Sequence, residues 1–169
     1  MSKVRERIRD HVAAHPGVHF NELVRRLDLA PGQVQHHLKR LTPDAVVAES
    51  LYGRTHYYPP AYDEWERGAL ALLRRETARD VLEALAAGPR APDAVAAEVG
   101  IARSTLEWHL DHLLERDLVE KAYDERGRVT LSLARPAETA DLLGAVEPSL
   151  PDRLVDRFTR LVDSFLDPE

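Results

Sequence analysis

The sequence LAPGQVQHHLKRL, residues 29–41, decides the fold because it predicts a short helix with one buried and one exposed face. Val34, Leu38 and Leu41 are four and three residues apart, so they form one apolar stripe on a helix of 3.6-residue period. Pro31 suits the first helical turn, where its missing N–H costs no hydrogen bond. We expect the stripe to face a core and the other face to contact solvent or a partner.

The other face of this helix carries amide, imidazole and cationic groups and no carboxylate. Such groups hydrogen-bond base edges and phosphate oxygens. A solvated surface is the plainer interpretation, but a face without acids is unusual in a chain with 29 Asp and Glu residues. The pattern therefore favours DNA contact, and the residues expected to make it are Gln33, Gln35, His36, Lys39 and Arg40.

The same pattern occurs a second time, at residues 101–113, as IARSTLEWHLDHL. The two stretches align without a gap, and the matching positions are mostly the inward ones. Ala30, His37, Leu38 and Leu41 meet the identical residues Ala102, His109, Leu110 and Leu113. This self-similarity indicates a duplicated unit.

The exposed faces of the two copies differ. Glu107 and Asp111 occupy the positions of Gln35 and Lys39, where a carboxylate would repel phosphate. We therefore expect the second unit to contact DNA weakly, or to serve dimerisation or partner binding. Its groups that suit DNA contact are Arg103, Ser104 and Thr105, with Arg126 and Arg128 in a later hairpin.

Trp108 stands at the position of His36. An indole stacks on a base or sugar, and it also packs against protein surfaces, where Trp is enriched. On an otherwise acidic face the sequence favours the protein contact.

The rest of each unit predicts two helices before this stretch and a hairpin after it. In the first unit we expect helices over residues 3–14 and 20–27, a strand stub at Val18, and strands 46–47 and 55–58 around a turn over 49–54. A connecting helix follows over residues 62–73. In the second unit we expect helices over 77–87, 92–99 and 103–114 and strands 118–119 and 129–131.

This order resembles the winged helix-turn-helix family of DNA-binding domains. The resemblance rests on residues 20–23 (FNEL), on residues 29–41 and on Gly53-Arg54 in the hairpin. It implies that the third helix lies in the major groove and that the hairpin, or wing, meets a flanking phosphate or the minor groove. By position, the groove-facing residues are then Gln33, Gln35, His36 and Lys39, and the wing contact is Arg54.

One position departs from the family pattern, because Ala30 stands where a capping Ser or Thr is usual. Residues 1–135 as a whole are similar to archaeal-type predicted transcriptional regulators that carry two such domains in tandem. We expect a mainly α fold with small β-hairpins. Its parts are two winged helix-turn-helix domains (1–60 and 76–135), a connecting helix (61–75) and a C-terminal helical segment (136–169).

The C-terminal segment predicts a helix starting at residues 149–152. Its large apolar residues recur at intervals of four, three and four, and they are Leu154, Phe158, Leu161 and Phe165. The face is too broad for a free surface helix, so we expect it to pack on the second unit or on its copy in a second subunit. The resemblance favours a homodimer, since symmetric DNA sites are usually bound by symmetric proteins.

Charge is unevenly distributed along the chain, whose net charge is −6. Residues 1–60 hold nine Lys or Arg and six Asp or Glu, a balance of +3, whereas the remainder is acidic. A basic first unit on an acidic remainder is expected if only the first unit faces phosphate.

Other classes of function find no support in the sequence. The chain has no cysteine. His11 and His15 lack a third ligand at suitable spacing, so we expect no metal and no cofactor. No phosphate loop, nucleophile elbow or paired-carboxylate motif indicates an enzyme. No apolar run suits a membrane span and the N-terminus lacks a signal core, so we expect a cytoplasmic protein.

The sequence thus predicts a transcriptional regulator that binds double-stranded DNA through its first unit. The alternative is an adaptor in a chromosome-segregation or transcription complex, in which both winged helix units bind proteins. The acidic second unit favours the alternative, and the basic first unit opposes it.

Overall fold

The computed structural model describes residues 2–146 and, in the tail, the helical residues Phe158, Leu161, Val162 and Phe165. The chain divides into two compact units, Met1–Ala71 (unit 1) and Leu72–Glu169 (unit 2).

Unit 1 consists of three helices, a small antiparallel sheet and the start of a fourth helix. In chain order its elements are α1 (Lys3–Ala14), β1 (Val18–His19), α2 (Phe20–Leu27), α3 (Pro31–Leu41), β2 (Val47–Leu51), β3 (Arg54–Tyr58) and α4 (Glu64–Leu73), which ends in unit 2. The sheet has the order β1-β3-β2. The predicted helices over 3–14 and 20–27 are confirmed, and α4 begins two residues later than predicted.

The core of unit 1 is built around the predicted stripe of α3. Val34, Leu38 and Leu41 are all buried, with at most 4% of each side chain exposed. They pack with Ile8 of α1 and Leu23 of α2 in one cluster. Burial of this stripe leaves the opposite face of α3 outside the core.

The wing differs from its prediction. The prediction of a turn over residues 49–54 is wrong, because β2 continues to Leu51 and β3 begins at Arg54. Leu51 and Arg54 pair with each other in the sheet. Only Tyr52 and Gly53 form the turn, with φ of 49° and 82°. Two consecutive positive φ angles give the tight hairpin turn whose twist matches that of the flanking strands. The polar residues Glu49 and Ser50 suggested a loop, yet they are ladder residues at the edge of the sheet.

Unit 2 repeats the plan of unit 1 and adds a helix. Its elements are α5 (Glu76–Ala86), α6 (Pro92–Val99), α7 (Arg103–Glu115), β4 (Val119–Tyr123), β5 (Val129–Leu133) and α8 (Pro136–Ala145). The inward positions of α7 match those of α3, since Leu106, Leu110 and Leu113 are fully buried. The structure therefore confirms the duplicated scaffold.

The end of α8 is held by a side chain of α5. The guanidinium of Arg79 donates hydrogen bonds to the carbonyl of Leu143, at 2.7 Å, and to the carbonyl of Val146. A cation at a helix C-terminus satisfies carbonyls that lack intrahelical partners and opposes the helix dipole. This contact secures α8 to the second unit.

The tail helix is described only in part. Phe158, Leu161, Val162 and Phe165 are helical and exposed, with between 37% and 74% of each residue accessible. Leu154 and the predicted helix start at 149–152 lie outside the described residues. Among the described helices, none is long and apolar enough to cross a bilayer.

We predict that the wing turn depends on glycine at position 53. A Cβ there would meet nothing within 4 Å, so the φ of 82° is the only obstacle to a side chain. Gly53→Ala should therefore lower the free energy of unfolding by about 1–2 kcal/mol, the cost of a left-handed conformation. Urea denaturation measures the change.

Gly32→Ala is the matched control, because Gly32 lies in α3 without a positive φ and also has nothing within 4 Å. Its free energy of unfolding should rise by about 0.5–1 kcal/mol, since alanine favours helix. Equal effects of the two substitutions would contradict the turn assignment.

Candidate nucleic-acid interface

The outer face of α3 presents the side chains that the sequence predicted for it. Gln33, Gln35, His36, Lys39 and Arg40 are all exposed. Within the described part of the chain, neither Lys39 nor Arg40 makes an ion pair. The positive charges of this face are therefore not neutralised by a carboxylate of their own unit.

Gln33 supports the start of α3 in addition to lining its exposed face. Its side-chain oxygen accepts a hydrogen bond of 3.3 Å from the backbone N–H of Ala30. Ala30 has no side-chain group that can cap the helix, and Gln33 satisfies one backbone donor in its place. The side-chain carbonyl of Gln33 is thus committed to the fold, and its NH₂ group is the donor left to meet a partner.

The last turns of α3 gather positive groups from two helices. His37 is half-buried, and its pKa is lowered by burial and by the positive charges of His36, Arg5 and Arg40. The rings of His36 and His37 are 5.2 Å apart. Arg5 belongs to α1, so this neighbour is brought to α3 by tertiary packing alone.

Two arginines of α1 are engaged within the fold. Arg7 of α1 donates a 2.8 Å hydrogen bond to the carbonyl of Leu27, which ends α2. Arg9 pairs with its neighbour Asp10 at 3.0 Å. These two arginines therefore serve the scaffold or a local pair.

The wing places one cation beside its turn. Arg54 is exposed at the first position of β3. The nearest acid of β2, Glu49, accepts a 2.5 Å hydrogen bond from Nε of Arg67, so its charge is balanced. The wing consequently adds no unbalanced carboxylate to the strands next to Arg54.

In unit 2 the corresponding cations are neutralised. Arg103, at the start of α7, contacts Asp93 at 2.6 Å and Glu107 at 3.1 Å. The hydrogen bond with Asp93 is the main reason that the pKa of Arg103 is raised. Lys121 of β4 lies 3.5 Å from the same Glu107. Ser104 is exposed and Thr105 is half-buried, so α7 brings the predicted residues together without a net positive charge.

The wing of unit 2 follows the same rule. Arg128 lies 2.6 Å from the carboxylate of Asp124, which also accepts the backbone N–H groups of Arg126 and Arg128. These hydrogen bonds, those of Arg128 first, lower the pKa of Asp124. The hairpin therefore carries a fixed carboxylate that is paired with Arg128, one of its two predicted phosphate contacts.

Two family models match consecutive parts of the chain. Residues 2–70 match a model described as an N-terminal HTH domain, and residues 72–122 match a model described as a helix-turn-helix domain. The chain carries two helix-turn-helix domains in tandem. This architecture is that of a DNA-binding regulator rather than that of an enzyme.

Solved structures give distant matches. One is the solution structure of a homodimeric winged helix-turn-helix DNA-binding domain from Mycobacterium bovis, a possible ArsR-family transcriptional regulator. It is 20% identical, with a TM-score of 0.43 over 65% of this chain and 95% of that one. Another is the DIP2311 protein from Corynebacterium diphtheriae, 15% identical, with a TM-score of 0.31 over 78% of this chain and 26% of that one. No curated protein matches the chain significantly.

The histidines of the first helix-turn-helix domain contact one another locally. The rings of His11 and His15 are 4.5 Å apart. Across the described residues, no group of three His, Asp or Glu side chains is arranged to hold a metal ion.

We predict that His37 titrates below its ordinary pKa of 6.5. The unfolded chain then binds a proton that the folded domain resists, so stability is full above about pH 6.5 and falls as the pH drops toward the folded pKa. Arg40→Ala removes one of the neighbouring charges and should move the pKa of His37 upward. The measurement is an NMR titration of the ring resonances.

Arg26→Ala is the control for this titration, because Arg26 is an exposed cation of α2 that does not act on His37. Its variant should leave the pKa of His37 unchanged. An equal shift in both variants would mean that overall charge, and not the local group, sets the pKa.

Proposed function

We propose that the protein is a transcriptional regulator whose first helix-turn-helix domain binds double-stranded DNA through α3 and the wing. The observation that carries the proposal is the exposed face of α3, which has two cations without ion pairs and no acid. Such a face attracts the phosphate backbone, and its amide groups suit base edges. The protein would act on double-stranded DNA in the cytoplasm.

Different groups of this face would meet different parts of the duplex. Gln35 offers a donor and an acceptor in one plane, the arrangement that suits adenine in the major groove. His36 would lie beside it, and the NH₂ group of Gln33 would add a donor. Lys39, Arg40 and Arg54 would contact phosphates and fix the position of α3 in the groove. Regulation would follow from excluding or recruiting the transcription machinery.

The second helix-turn-helix domain and the tail helix would serve association rather than DNA contact. Arg103 and Arg128 are already paired with acids, which supports a weak role for this domain on DNA. The exposed apolar residues of the tail, Phe158, Leu161 and Phe165, follow the three-and-four spacing of a coiled-coil seam. We infer that this seam, with Leu154, pairs with its copy in a homodimer, because exposed large apolar side chains at this spacing require a covering partner.

A protein-binding adaptor is the second candidate. The paired cations of the second domain favour it, since they leave that domain without a basic face. The exposed face of α3 opposes it. Binding of random-sequence duplex DNA by the full chain at low salt separates the two, because only the regulator should bind.

We predict that Lys39 neutralises one phosphate. Lys39→Ala should reduce the slope of log affinity against log salt by about 1, the change expected for one lost phosphate contact. Arg54→Ala should do the same if the wing contacts the backbone. Fluorescence anisotropy with a labelled duplex, repeated over a range of salt concentrations, measures the slope.

Arg103→Ala is the matched control, because it removes a cation from the repeat-related helix where that cation is already paired. Its slope should equal that of the parent protein. An unchanged slope for Lys39→Ala and Arg54→Ala together would remove the first domain from the DNA.

We also predict that the tail holds the homodimer. Phe165→Asp places a charge on the apolar seam and should shift the sedimentation mass from dimer to monomer at micromolar concentration. Tyr123→Asp is the control, because Tyr123 is exposed at 67% but lies in the second wing. A monomeric parent protein, or dissociation by both substitutions, would contradict the assignment.

A further inference from the structure

The outer face of α7 has the opposite chemistry to the repeat-related face of α3. The residues at equivalent positions change from Gln35, His36, Lys39 and Arg40 to Glu107, Trp108, Asp111 and His112. The buried leucines of the two helices are unchanged, so the scaffold is kept while the surface is replaced. A face that suits an anion in unit 1 has become one that suits a cation in unit 2.

Trp108 is the centre of this second face. The indole is 47% exposed although it is one of the largest apolar side chains of the chain. The guanidinium of Arg75 lies over it, 4.8 Å from the ring centroid, and His112 meets it at 4.5 Å with the rings perpendicular. The Arg75 contact shows that the indole face accepts a guanidinium, an attraction that arises from the ring quadrupole.

Arg75 already lies over the indole, so an incoming cation would find its partner in the acidic group beside the ring. Asp111 lies one turn along α7 from Trp108, is exposed, and makes no ion pair within the part of the chain that the structure describes. The nearby cations Arg103 and Lys121 are paired with Glu107. Residues 72–146 carry 14 Asp or Glu and 10 Lys or Arg, a balance of −4.

We propose that this face, formed by Trp108, Asp111 and His112, is a docking surface for a cationic segment of another protein. An Arg or Lys of the partner would pair with Asp111, and an aliphatic neighbour would cover the part of the indole that Arg75 leaves exposed. Half-exposed Trp is a frequent anchor of protein interfaces. Duplex DNA suits the face less well, because the carboxylate of Asp111 would approach its phosphates and repel them.

The inference names the surface and the partner chemistry for the association proposed for the second domain, and it rests on that part of the proposed function but not on DNA binding by unit 1. If unit 1 fails to bind DNA, the α7 face remains a cation-binding surface. If the α7 face binds nothing, the salt dependence of DNA binding by α3 is unaffected.

The test uses the full chain and a fluorescein-labelled synthetic peptide in which arginine and leucine alternate. At low salt the peptide should bind and change the tryptophan emission, since Trp108 is the more exposed of the two tryptophans. Trp108→Ala and Asp111→Lys should each weaken binding by about fivefold to tenfold, the effect of losing one apolar or one charge contact. Trp108→Phe should keep most of the affinity. This result would show that the loss in Trp108→Ala comes from the missing aromatic ring and not from unfolding.

The matched controls are Tyr123→Ala, which removes another exposed aromatic residue, and Asp141→Lys, which makes the same charge change on α8. Both should bind the peptide as the parent protein does. Equal losses in the controls would show non-specific attraction and overturn the proposal, as would no peptide binding at low salt. A loss of duplex affinity in Trp108→Ala, with peptide binding unchanged, would assign the face to DNA instead.

Discussion

The structure of each domain depends on burial of one helical stripe. In unit 1, Val34, Leu38 and Leu41 lie in the core with α1 and α2, and this packing fixes the rotation of α3 about its axis. Because side chains three and four residues apart share a helix face, fixing the buried set also fixes the exposed set. The chemistry of the outer face can therefore change without disturbing the core, and the comparison of α3 with α7 shows this change.

The two domains illustrate how a duplicated scaffold diverges. Two inward leucines are identical in both copies, whereas the outer face of α7 carries carboxylates and an indole where α3 has neither. The acids of unit 2 do more than lower its net charge, since Asp93 and Glu107 hold Arg103 at the helix start. A cation tied in this way has less to gain from a phosphate, because its existing pairs must first be broken. The weak DNA contact proposed for unit 2 would thus follow from local pairing as much as from overall repulsion.

Periodicity and breakers in the sequence predicted most of the fold. The bounds of α1, α2 and α6 agree with prediction, because Pro16 and Pro92 and the apolar spacing mark them. The prediction for the wing was wrong in detail. Glu49 has its ion partner, Arg67, eighteen positions away, and no local sequence pattern shows such a contact. The exposure of the α3 face was predictable for the same reason as the fold. Its electrostatics were not, because Arg5 reaches His37, and Arg75 reaches Trp108, only through tertiary packing.

The two-residue turn of the first wing has a consequence for how this hairpin would meet a partner. A longer loop would sample many conformations and lose entropy when held in one of them. Here the strands pair as far as Leu51 and Arg54, so the hairpin has no long loop that must be ordered on binding. The pairing of the strands therefore sets the distance between Arg54 and α3 before a partner binds. The fold would in this way determine how far apart these two contacts lie along a bound polymer.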